Sequence, residues 1–104
     1  MKLKAILNEV LGRAGRCFEL AAKQAIKGGG IYTIAEVTSD GKTFQHAYVD
    51  YGNKIYDPEH DKYFDSKKYN AQLHPKVLKT LSSEQVSIFI LKNKSFPYPE
   101  NFNL

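Results

Sequence analysis

Few residues in this chain can do covalent chemistry, and three of them come in a suggestive order. Cys17 is the only cysteine, His46 lies in Gln45-His46-Ala47-Tyr48-Val49, and Asp57 lies in Ile55-Tyr56-Asp57-Pro58. A thiolate is a nucleophile. An imidazole within hydrogen-bond reach keeps it ionised and later protonates the leaving group. A carboxylate on the other ring nitrogen fixes the tautomer and plane of the imidazole. Brought together, these three make a nucleophile, a base and an orienting carboxylate, a set that calls for no cofactor.

The elements that must position them can be read from spacing. Phe18, Ala21, Ala22, Ala25 and Ile26 recur at helical period and predict a helix with one apolar stripe. Gly15 serves as its cap and Gly28 as its left-handed stop. Cys17 then falls in the first turn, where unpaired N–H groups and the helix dipole favour an anion. Arg16 adds positive charge there and Glu19 partly opposes it. The backbone N–H of Cys17 can help hold an oxyanion, and nothing in the sequence selects between Asn8 and Gln45 as a side-chain donor. The competing reading of Cys17 is a buried structural cysteine.

Residues 31–38 are β-branched and aromatic and predict a strand. Asp40-Gly41 supplies the positive φ of a tight hairpin, with residues 43–51 as the return strand. Gly52-Asn53 turns the chain again into a third strand, Lys54-Ile55-Tyr56-Asp57, which Pro58 ends. His46 and Asp57 therefore sit on neighbouring strands. Phe44, His46, Tyr48 and Asp50 share one face, and Ile55 shares a face with Asp57. Register decides whether those faces coincide.

Residues 59–68 are polar and charged and read as a surface loop. Alternation of Tyr69, Ala71 and Leu73 predicts a fourth strand ending at Pro75, which residues 77–81 extend after a turn. Ser82 stands three residues ahead of Gln85 as in a capping box, so residues 83–92 are read as a helix although they are also strand-like. Residues 96–104 form an extended aromatic tail. At the other end, Leu3, Ile6, Leu7, Val10 and Leu11 predict a helix over residues 2–12. The expectation is one α+β domain over residues 1–104, with N-terminal helices packed on a small antiparallel sheet.

Composition narrows the function classes. The chain has 104 residues, 42% hydrophobic and 25% charged, as in ordinary globular proteins. One cysteine excludes an internal disulfide framework and suggests a reducing compartment. The first residues lack the pattern of a signal peptide and no stretch is long enough to span a membrane, so a cytoplasmic protein is expected. The net charge of +4 is too small to argue nucleic-acid binding by itself. That reading rests on Tyr63 and Tyr69, taken as exposed, near Lys62, Lys67 and Lys68. Cys17, His46, Asp57, His60 and Asp61 are metal-ligand types, but no pair has zinc-site spacing, so no metal is expected.

Cys17-Phe18-Glu19-Leu20-Ala21, His46-Ala47-Tyr48-Val49-Asp50 and Ile55-Tyr56-Asp57-Pro58, in that order, resemble the core of the transglutaminase-like branch of papain-like cysteine enzymes. That pattern has a cysteine opening a helix, a histidine in a His-Ala-Trp-Val-Glu type strand and an aspartate before proline. Residues 15–21 are also similar to a segment of small phage-type proteins with the same triad. The resemblance covers roughly residues 15–58. Tyr48 replaces the usual tryptophan, and the chain has no room for substrate domains or calcium loops. It implies a minimal papain-like fold, with Cys17 as nucleophile, His46 as base and acid, and Asp57 as its orienting partner. It also implies hydrolysis, deamidation or crosslinking of an amide in a protein, a peptide or a small molecule. A second copy supplying a wall of the cleft is compatible with so small a domain. The alternative is a non-catalytic binding protein on the same fold, an inhibitor or adaptor.

Overall fold

The computed structural model describes residues 16–104. The helix expected over residues 2–12, the cap at Gly15 and the donor Asn8 lie outside the described residues. Strand β1 (Ile31–Ser39) and strand β2 (Lys42–Asp50) form a long hairpin in which Ile34 pairs with Ala47 and Ala35 with His46. Its turn, Asp40-Gly41, has φ of 51° and 75°, the left-handed pair that a two-residue hairpin turn requires. Strand β3 (Lys54–Asp57) pairs with β2, as expected.

Two segments depart from expectation. Lys62–Asp65, read as loop, is strand β4, an edge strand whose Tyr63 faces Tyr56 of β3. Ser66–Leu73, read in part as strand, is helix α2, with helix α1 (Cys17–Gly28) preceding it in the chain. The apparent alternation of Tyr69, Ala71 and Leu73 misled, because Tyr69 and Leu73 are also one helical turn apart. Asp65 caps α2 by accepting the Lys68 N–H at 3.1 Å. The chain then returns as β5 (Lys76–Ser82) along the free side of β1, giving the antiparallel order β4-β3-β2-β1-β5. Helix α3 (Ser83–Asn93) follows, and its capping box is complete: Ser82 Oγ accepts the Gln85 N–H and Gln85 Oε1 accepts the Ser82 N–H. The protein is α+β.

Both faces of the sheet are covered. Tyr32, Ile34, Ala47 and Val49 point to one side, where Ala21, Ala22 and Ala25 of α1 and Val86 of α3 complete a core. The small alanines allow the α1 backbone to approach the sheet closely. Ile26, expected in that stripe, is 44% exposed. Ala35, Val37, Tyr48 and Ile55 point to the other side, against Tyr69 of α2. Tyr69 is therefore buried, which corrects its reading as an exposed aromatic. In the tail, Tyr32 OH donates to the Pro97 carbonyl at 2.6 Å, Phe96 and Phe102 pack on the first core, and Pro99–Phe102 form a short 3-10 turn. Among the described residues no helix is long and apolar enough to cross a membrane.

Helix α1 stops at Gly29, with φ of 74°, one residue beyond the expected Gly28. Gly30 follows at φ 86°, and a Cβ there would come within 2.7 Å of Val49 Cγ1 and 2.8 Å of the Tyr51 ring. Gly30→Ala is expected to destabilise the fold by about 1–3 kcal/mol, through strained backbone and overpacking together. Denaturant titration checks this, and a variant as stable as the native chain would contradict it.

Candidate active site

Register brings the two candidate faces together. Asp50 pairs with Ile55 and Val49 with Tyr56, so Ile55 and Asp57 share the face of Asp50, Tyr48 and His46. The ladder stops there. One more pair would set Asp57 opposite Tyr48, so His46 is its diagonal neighbour, within reach of a long side chain. His46 Nε2 lies 3.2 Å from Asp57 Oδ2, and each residue is only 2% exposed.

Asp57 is held by more than the histidine. Its Oδ2 also accepts the Tyr69 hydroxyl at 2.7 Å, and its Oδ1 accepts the Glu59 backbone N–H at 2.8 Å. Burial alone would raise this carboxyl, but hydrogen bonds from His46, Tyr69 and Glu59 and the charge of His46 hold it down at about 2. Burial likewise opposes a charged His46. Hydrogen bonds and charge from Asp57, then Cys17, outweigh it and raise the imidazole to about 10. At neutral pH the pair is imidazolium and carboxylate.

Cys17 is the first residue of α1, is 2% exposed, and lies close enough to His46 to help raise the imidazole. Asp57 occupies Nε2. The Glu59 carboxylate lies near Nδ1, at 3.8 Å. Tyr32 neighbours the thiol too: burial pushes its hydroxyl upward and the charge of Cys17 adds to this. The first N–H groups of a helix have no acceptor within it, and Cys17 carries one of them. Arg16 pairs with Glu19 at 2.9 Å, and Glu19 also meets Lys23 at 3.2 Å, so the acid expected to oppose the anion is itself neutralised. Gln45 is exposed, and strand alternation puts it on the opposite face from His46.

One ligand atom from each of His46, Asp57 and Glu59 lies within 4.8 Å of the others, a group that could hold a cation. Both Asp57 oxygens already accept donors, so a cation would have to compete with the histidine, the tyrosine and the backbone N–H. That donor set suits an orienting carboxylate. His60 is 62% exposed by its side chain with Nδ1 3.6 Å from Asp57, and Asp61 accepts the Tyr56 hydroxyl.

A cavity of about 190 Å³ opens on His46, Asp57 and Glu59 between Val37, Phe44 and Leu73. It adjoins one of about 480 Å³ lined by Lys62, Phe64, Tyr69 and Gln72, and the two share Ser39, Asp57, His60 and Leu73. Cys17 is not among the residues lining either. Tyr63 is half-exposed beside Tyr56, with Lys54 Nζ 4.4 Å from its ring centre.

Comparison with protein-family models, curated proteins and solved structures gives no match for this chain. The site is thus defined by its own geometry. Sequence reading singled out Cys17, His46 and Asp57, which lie together, but not Tyr69 or Glu59. The signal for Tyr69 was its helical spacing to Leu73; Glu59 followed from its place two residues after Asp57, where an Asx-type turn returns its N–H to the carboxylate.

Proposed function

We propose that this chain is a cysteine-dependent acyl-transfer enzyme of transglutaminase-like, papain-like type, acting on an amide in a protein, a peptide or a small molecule. Cys17 is the nucleophile, His46 the acid and base, and Asp57 the residue that orients His46. The observation that carries this reading is the buried imidazole held by a carboxylate on Nε2, with the thiol that opens α1 near enough to influence it.

The steps balance. The thiolate attacks the carbonyl carbon and forms the S–C bond, while the N–H groups at the start of α1 offer donors to the oxyanion. The imidazolium gives its proton to the departing amine as the C–N bond breaks, which leaves a thioester and neutral imidazole. Incoming water or amine gives a proton to that imidazole as it attacks, and the thiolate leaves. Water as acceptor gives hydrolysis or deamidation; an amine gives transfer.

The near-complete burial of Cys17 favours a second reading, a binding protein that keeps the fold without the reaction. Alkylation separates them. Iodoacetamide modification of Cys17, followed by mass spectrometry across pH 5 to 9, is expected to be about tenfold faster at neutral pH in the native chain than in His46→Ala, because the thiolate is the reactive form. An unreactive thiol, or equal rates in the two proteins, would favour the binding protein.

A further inference from the structure

We propose that Tyr69 is a positioning residue of this site, the donor from α2 that keeps the Asp57 carboxylate in line with His46. The catalytic consequence rests on the function proposed above; the effect on Asp57 does not.

Asp57 ends a strand of four residues whose pairing with β2 has already stopped, so the sheet alone does little to fix its side chain. Three donors do this instead. The Glu59 N–H holds Oδ1, while the Tyr69 hydroxyl and His46 Nε2 share Oδ2, at 2.7 and 3.2 Å. The tyrosine bond is the shorter of the two on that oxygen. Its ring is 4% exposed and set by edge contact with Tyr48 at 5.3 Å and by Phe64 at 5.7 Å. A donor locked this way loses little further freedom when it bonds.

The chemistry also favours a phenol here. During turnover His46 loses and regains a proton, so its pull on Asp57 varies. Burial first, then the Asp57 charge, raises the Tyr69 hydroxyl above its ordinary range, so it stays an O–H donor throughout. His60 cannot substitute, being exposed and 3.6 Å from Oδ2. Tyr69 and Asp57 both line the larger cavity, so without the hydroxyl that oxygen would face a space open to water. The charged and titratable groups around Asp57 are His46, Glu59, His60, Tyr69 and its ladder partner Lys62.

The test uses the full chain with Tyr69→Phe, which removes only the hydroxyl and keeps both ring contacts. Carbon-detected NMR of the Asp57 carboxyl is expected to show its titration midpoint moved up by about one unit, since a donor to the charged form has been lost. Alkylation of Cys17 at neutral pH is expected to slow by about tenfold, the weight of one hydrogen bond to a charged group. In the native chain the Tyr69 hydroxyl proton should be seen as a slowly exchanging resonance, a readout that needs no variant. An unmoved midpoint, or a hydroxyl proton in fast exchange, overturns the inference. If the midpoint moves but alkylation is indifferent to both Tyr69→Phe and His46→Ala, the proposed function fails and the positioning of Asp57 stands.

Discussion

Asp57→Ala is expected to destabilise the protein by about 3–5 kcal/mol near pH 5.5, the usual cost of removing one partner from a buried ion pair. It would strip His46 of its carboxylate and leave the Tyr69 hydroxyl without its acceptor. The pH dependence should flatten as well. In the native chain Asp57 is lowered from 3.8 to about 2, so its contribution is present above pH 3.8 and is lost as pH falls toward 2. His46 is raised from 6.5 to about 10, so its contribution is full below pH 6.5 and is lost as pH rises toward 10. Native stability from this pair is thus greatest between those limits and declines above pH 6.5. In Asp57→Ala the interactions with Asp57 that oppose burial at His46 are gone and Cys17 alone is left to do so, so the decline above pH 6.5 should be much reduced. Denaturant unfolding at a series of pH values measures both. Native and variant curves that run parallel would mean the pair is not the ionised one described here.

His46→Ala is expected to lower turnover of an activated acyl substrate by about 10²- to 10⁴-fold, the usual weight of a positioned acid and base. A chromogenic aryl ester provides the readout, because release of the phenol reports acylation directly. The variant keeps the Asp57 bonds to Tyr69 and to the Glu59 N–H, so the carboxylate retains two of its three hydrogen-bond donors. Loss of rate with retained fold would place the effect in proton transfer. Turnover unchanged by the substitution would remove His46 from the chemistry.

What could be read beforehand followed from local rules. Asp40-Gly41 sets the long hairpin, and Gly52-Asn53 makes His46 and Asp57 strand neighbours. The Ser82–Gln85 box decides that the β-branched run at residues 86–90 is helical. Segments that depend on tertiary partners are not legible in the local sequence. Lys62–Asp65 is too short and charged to signal a strand, and it becomes one because β3 offers an unpaired edge. Tyr69, Ala71 and Leu73 fit both periods, and the Asp65 cap with burial of Tyr69 against Tyr48 selects the helix. The same ambiguity hid the hydroxyl donor to Asp57, since a strand there would have been placed by a different register. Spacing alone also could not bring the thiol to the imidazole. The alanines of α1 pack on the Ala47 and Val49 face, whereas His46 is on the Tyr48 face, so their relation is a matter of tertiary structure.

The most direct test of the central claim is the intact mass of the protein after brief reaction with an activated ester and acid quenching. The native chain should gain one acyl group, map it to Cys17 and lose it to hydroxylamine, as a thioester does, while Cys17→Ala gains none. An unacylated Cys17, with any added mass on lysines in both proteins, would contradict the assignment of this cysteine as the nucleophile.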